Sequence, residues 1–177
     1  MEQDPRHQLV TLLPRLRRFA VALTGDRNEA DDLVQAACVR ALTNLDKWQT
    51  DTRLDSWLYK IAQNLWIDDV RKRRARGETV EIDELGTVAG QDGRDHMSSR
   101  LMLEAARRAI GMLHEDQRSV LVLVTVEGLS YRETADILEI PIGSVMSRLA
   151  RARKRVHKLV HGEGQGSDVL PLRRTTT

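Results

Sequence analysis

The chain has 177 residues, a formal net charge of +2 and an aromatic content of only 3%, so it holds one domain or two small ones whose core must come from Leu, Ala, Val and Ile, a balance that leans towards helix. Its single cysteine, Cys38, excludes an intrachain disulfide framework and argues against a structural zinc. The charged start MEQDPRHQLV lacks secretory character and no apolar run approaches the roughly 18–20 residues of a membrane span, so a cytoplasmic chain without membrane insertion is expected.

The pattern predicts a first helix over LVTLLPRLRRFAVAL, with Pro14 either in its first turn or kinking it, and Gly25 as its stop. Asp26 with Glu29 three residues on resembles a capping box for a second helix. That helix keeps Ala30, Leu33, Val34, Ala37, Ala41 and Leu45 on one face. KWQTDTRLD reads as a polar loop in which Thr52 and Asp55 can cap a third helix, LDSWLYKIAQNLWIDDVRKRR. Its expected buried stripe is Leu58, Ile61, Ala62 and Leu65, too narrow to take Trp57, Tyr59 and Trp66 as well.

The near-neutral total hides blocks of charge. RKRRAR, from Arg71 to Arg76, is basic. Between Gly77 and Asp95 stand Glu78, Glu81, Asp83, Glu84, Asp92 and Asp95 against Arg94 alone, and from Ser144 to His161 there is no acid. Two basic modules on an acidic, non-periodic linker suggest two contacts with a polyanion. The second module starts near Ser98. LMLEAARRAIGML is helical, and RSVLVLVTVEG is read as helix although its β-branched residues favour strand, because Glu115 and Asp116 suit its start, Gly128 its stop, and no partner strand exists. From Gly162 onward GEGQGSDVLPLRRTTT has the composition of a disordered tail.

In LSYRETADILEIPIGSVMSRLARARKRV, Ser130 and Glu133 form a capping box. EIPIG makes a tight turn, and Pro141 suits the start of a second helix. At about 100° per residue, Val145, Leu149, Ala152 and Val156 share a face that must pack. Ser144, Ser147, Arg151, Lys154 and Lys158 gather opposite, flanked by Arg148 and Arg155. Short polar side chains at the start and cations further on are what a major-groove helix needs. The charge pattern alone fits a solvated face equally well; the capped helix, turn and acid-free helix together favour nucleic acid.

This segment resembles the promoter-reading part of bacterial RNA polymerase sigma factors of the extracytoplasmic-function (ECF) group, whose pattern is roughly EGLSY-x-E-x-A followed by P-x-G-[TS]-V-x-S-R-L-x-R-A-R. LTGDRNEADDLVQAACVRAL and SWLYKIAQNLWIDDVRKRRAR resemble the family's other conserved region. The resemblance implies an all-α chain: a region-two domain over 1–76, a flexible acidic linker over 77–97, a region-four helix-turn-helix domain over 98–161 and a tail over 162–177. Region four would read the upstream (−35) element as duplex through Ser144, Ser147, Arg148 and Arg151, with Arg153, Lys154 and Arg155 on phosphate. Region two would capture melted bases of the downstream (−10) element. Lys60 and Asn64 match its strand-facing positions, Trp48 lies in the loop expected to cup a flipped base, and Arg71, Lys72, Arg73 and Arg74 add cations. Asp31, Asp32, Leu33, Gln35 and Arg40 match the polymerase-binding surface.

The implied partners are core RNA polymerase, promoter DNA and an anti-sigma factor, with the chain monomeric when free. No catalytic residue, metal or cofactor is expected; His157 and His161, four apart, lack a third ligand. Met146 stands where the family commonly has Lys or Arg, Ala36, Ala37 and Cys38 where an acid, Thr and Phe are frequent, and His114 where Pro is common. A stand-alone helix-turn-helix regulator is the alternative, as is a decoy that sequesters an anti-sigma factor. The first leaves the N-terminal block without a task, and intact Arg148, Arg151 and Lys154 argue against the second.

Overall fold

The computed structural model describes residues 4–49, 52–77 and 94–162, with backbone alone for 94–99. Seven α-helices account for most of them: α1 Pro5–Thr24, α2 Arg27–Thr43, α3 Leu54–Ala75, α4 Arg94–Gly111, α5 Glu115–Leu121, α6 Tyr131–Leu138 and α7 Ile142–His161. A 3-10 turn, Leu45–Lys47, follows α2, and a π-helical turn, Val122–Val126, extends α5. The described residues contain no strand.

Helix α1 starts earlier than its apolar pattern, because Asp4 accepts the Arg6 amide and Pro5 suits the first turn. Pro14 therefore falls mid-helix. It deprives the Val10 carbonyl of its helical donor, but Val10 is exposed, where water can substitute. Gly25 stops the helix at φ +81°, its amide bonding back to the Val21 carbonyl at 2.9 Å. Asp26 caps α2 through the Glu29 amide at 2.8 Å, which is half of the expected box. The Glu29 carboxylate turns instead to Arg73 at 2.7 Å and ties the start of α2 to the end of α3.

Leu16, Phe19 and Leu23 of α1 pack on Ala30, Ala37 and Ala41 of α2 and on Leu58, Tyr59, Ala62 and Trp66 of α3. The alanines let the α1 and α2 backbones approach closely. Phe19 and Tyr59 meet tilted, centroids 5.0 Å apart, a geometry aromatic pairs favour. The expected caps of α3 are not made. Thr52 donates to the Gln49 carbonyl, Arg53 occupies the N-cap without a side-chain bond, and Asp55 lies inside the first turn, held by Arg53 and Arg15.

The buried arc of α3 is also wider than a simple stripe. Tyr59, Gln63 and Trp66 are buried, while Ile61, Leu65 and Trp57 are half-buried. The cause is a second neighbour, since α5, α6 and the π turn pack on α1 and α3. The same fact explains the strand-like run. Val120 and Leu121 enter the core between α5 and α7, whereas Val122 and Leu123 enter the core of α1–α3. A helix buried between two bodies is apolar all round, and here burial overrides β propensity. The run closes at Gly128, φ +70°, with the Leu129 amide bonding to the Leu123 carbonyl.

Candidate nucleic-acid interface

The helix-turn-helix is built as its sequence suggests. Ser130 accepts the Glu133 amide while the Glu133 carboxylate accepts the Ser130 amide, a complete capping box. Glu139 ends α6 in the left-handed region at φ 54°, and Pro141 caps α7. Val145, Leu149 and Ala152 are buried and Val156 is half-buried. Ser147, Arg151, Lys154, Arg155 and Lys158 face solvent, with Ser144, Arg148 and Arg153 half-buried. Ser147 donates to the Ser144 carbonyl at 3.1 Å, so its hydroxyl rests on its own helix. Ile142 and Met146, 50% and 53% exposed, flank the serines and give the start of α7 an apolar edge. Arg148 is already engaged with Asp116 of α5 at 3.1 Å.

On α3, Lys60 and Asn64 stand one turn apart. Lys60 pairs with Glu139 at 2.7 Å; Asn64 is exposed in a cleft of about 590 Å³ between the two halves of the molecule. That cleft joins Arg40 of α2 and Asn64 and Arg71 of α3 to Arg148 of α7, so residues from all three sets named above line one cavity. Arg71 and Lys72 are exposed. Arg74 makes a two-pronged bond to Glu115, at 2.9 and 2.8 Å, and Arg73 is absorbed into the fold by Asp69 and Glu29. Trp48 is half-buried against the α1–α3 core with its indole nitrogen buried and unpartnered, so its ring is no open stacking platform.

The α2 surface is similarly mixed. Asp32, Gln35 and Arg40 lie exposed along a shallow groove with Ala36, Val39 and Thr43. Asp31 is exposed but paired with Arg17 at 2.8 Å. Leu33, at 9% exposure, is core and offers little to a partner. Cys38 is half-buried, and burial pushes its thiol pKa up, as for a small inert hydrophobe.

Two residues outside the expected sets organise the junction. The Glu127 side chain is fully buried and meets Arg18 through two bonds, Arg15 at 3.6 Å, and the Tyr59 hydroxyl, which donates to it. Burial, then that hydrogen bond, hold the Tyr59 pKa far above its ordinary value. Arg118 lies over the Trp66 ring at 5.6 Å and donates to the Leu23, Gly111 and Leu113 carbonyls. Desolvation lowers its pKa. Glu127 opens the EGLSY motif, a signal visible in the sequence; Arg118 carries none.

The sigma-70 region 2 family model matches residues 9–76, and the sigma-70 region 4 model residues 103–156. The chain belongs to the sigma-70 family. Within it, the chain is 37% identical to the ECF RNA polymerase sigma factor EcfG of Rhodopseudomonas palustris, over 90% of this chain and 86% of that protein. It is 30% identical to the ECF sigma factor SigW of Bacillus subtilis, covering 89% of each. Among solved structures, the sigma factor RpoE of Bartonella quintana, in complex with the anti-sigma factor NepR, superposes with a TM-score of 0.68 at 30% identity, over 86% of this chain and 94% of that one. As an ECF sigma factor, the chain serves promoter recognition and transcription initiation.

Proposed function

We propose that this sigma factor reads its promoter in two parts. Helix α7 enters the upstream major groove, Ser144, Ser147, Arg148 and Arg151 towards bases and Arg153, Lys154 and Arg155 on phosphate. The α3 face carrying Lys60, Asn64, Arg71 and Lys72 takes the melted downstream strand. The division runs between residues 1–76 and 98–161. The exposed strip of Asp32, Gln35 and Arg40 on α2 is the polymerase-facing surface, and Trp48 joins strand capture only if its loop rearranges. The single observation that carries the reading is the acid-free cationic face of α7, opposite buried Val145, Leu149 and Ala152 behind a capped helix and a tight turn.

Strand separation needs no covalent chemistry, because captured bases and polymerase contacts offset unstacking of a few kcal/mol per step. The chain thus acts as a non-enzymatic, dissociable cytoplasmic subunit, monomeric when free. Among the described residues no helix is long and apolar enough to cross a membrane. The likeness to a sigma factor solved with NepR supports control by an anti-sigma partner. Run-off transcription tests the reading: core polymerase with this chain initiates from a two-element promoter recovered by crosslinking from the native cell, and core alone does not. Absence of a transcript overturns it.

A further inference from the structure

The first turns of α7 carry an apolar strip beside their polar face. Ile142 and Met146, 50% and 53% exposed, stand one turn apart, and exposed Ala150 continues their line. The strip borders Ser147 and leads, seven residues beyond Met146, to Arg153, placed above on phosphate. The fold does not ask for it, because Val145 and Leu149 already fill the packed face. Gly143 heads the same surface, one turn before Met146 and Ser147. A Cβ there would meet nothing within 4 Å, and Gly143 is not among the residues with positive φ. Neither space nor conformation within the chain requires glycine at this helical position, where alanine is the better helix former. A bare position that the chain itself does not need leaves room for something outside it.

Resting on the two-part reading above, we infer that Met146, with Ile142 beside it, reads the C5-methyl group of a thymine in the upstream duplex. Gly143 lets the base edge come close. The two-part reading gives bases to Ser144, Ser147, Arg148 and Arg151 and leaves Met146 without a task. A thioether donates no hydrogen bond, so position 146 cannot take the guanine O6 and N7 acceptors that Lys or Arg would seek there. Thymine's methyl is the apolar group in the major-groove code, and Met, unbranched and polarisable, adapts to it. The two edges of α7 then select different features of one element: Arg148 and Arg151 favour purine acceptors, and Met146 favours a thymine.

The test uses holoenzyme assembled from core polymerase and the full chain, on the promoter recovered by crosslinking. Each thymine of the upstream element, on either strand, is replaced in turn by deoxyuridine, which removes the methyl and nothing else. Wild type is expected to lose about three- to fivefold in promoter affinity at one position, the value of one buried methyl. Met146→Ala should lose as much on the unmodified promoter and nothing further when that thymine becomes uracil, so the two changes are not additive. Its urea unfolding should match wild type, since the side chain is exposed. Lys154→Ala, weakened through phosphate, should keep the full response to uracil. An upstream element without thymine, indifference of wild type to every replacement, or an undiminished response in Met146→Ala overturns the inference. Each of those results leaves the two-part reading standing, because promoter binding is still measured. Holoenzyme that forms no promoter complex removes the reading and the inference together.

Discussion

Helices α3 and α7 both carry cations at helical spacing, yet they end in opposite states. On α7, Arg151 and Lys154 face solvent. On α3, Lys60, Arg73 and Arg74 are each held by a carboxylate, and Arg73 lies half-buried between α2 and α3. The difference lies in the surroundings. No acid occurs on α7, where Arg151 and Lys154 stay exposed while Arg148 reaches Asp116 of α5. The face of α3 looks onto an acid-bearing neighbour. A basic helix is therefore evidence for polyanion contact only once its neighbours are known.

The largest way to break this contrast is at the junction's buried centre. Glu127→Ala leaves the Tyr59 hydroxyl, Arg15 and Arg18 without their shared acceptor, and should cost about 2–3 kcal/mol in urea unfolding, the partly exposed arginines limiting the loss. A cost under about 0.5 kcal/mol would mean the cluster is incidental. Next comes the scaffold of α7. Leu149→Ala should lose roughly 2–4 kcal/mol from the C-terminal half and with it upstream binding, although no DNA-facing group changes. Retained binding would detach recognition from that packing.

Smaller effects separate the two kinds of cation. Arg151→Ala and Lys154→Ala should each weaken upstream binding on all sequences and lower the salt slope by about 0.9 per lost phosphate contact. Arg73→Ala should destabilise the fold by about 1 kcal/mol, the exposure of Glu29 and Asp69 limiting the effect, whereas Lys72→Ala should leave melting unchanged. Equal behaviour of the two variants would erase the distinction.

The smallest effect is that of pH. Burial alone would raise the Glu115 pKa, but the Arg74 hydrogen bond and charge hold it below its ordinary 4.5. Glu133 is lowered by the Ser130 amide and hydroxyl, then by Arg53. A depressed carboxylate contributes fully above its ordinary value and fades as pH falls through its lowered one. The stability gap between wild type and Glu115→Gln should thus be present at neutral pH and close in acid. A gap that widens in acid would reverse the sign of the pairing.

Much of this was legible in the sequence. The capping box at Ser130, the Gly25 and Gly128 stops and the Val145–Leu149–Ala152 face depend on neighbours within one or two turns, and all appear as expected. What sequence spacing missed depends on long-range partners. Trp48 fits a stacking role by type yet lies half-buried against the α1–α3 helices, while Leu33, which spacing already set on the packed face, is core although the resemblance turned it towards a partner. Arg73 and Arg74 look alike in RKRRAR, and only the places of Glu29 and Glu115 tell them apart. The unbroken apolar run through Val120–Leu123 was the one local hint that two helical bodies close on each other.

The central claim is that this chain works through polymerase and reads duplex poorly by itself. Gel filtration with core polymerase, paired with a duplex-binding titration of the free chain, tests it most directly. Co-elution as one complex, with weak duplex binding by the free monomer, is the result expected. Tight duplex binding by a dimer that ignores core polymerase would contradict it.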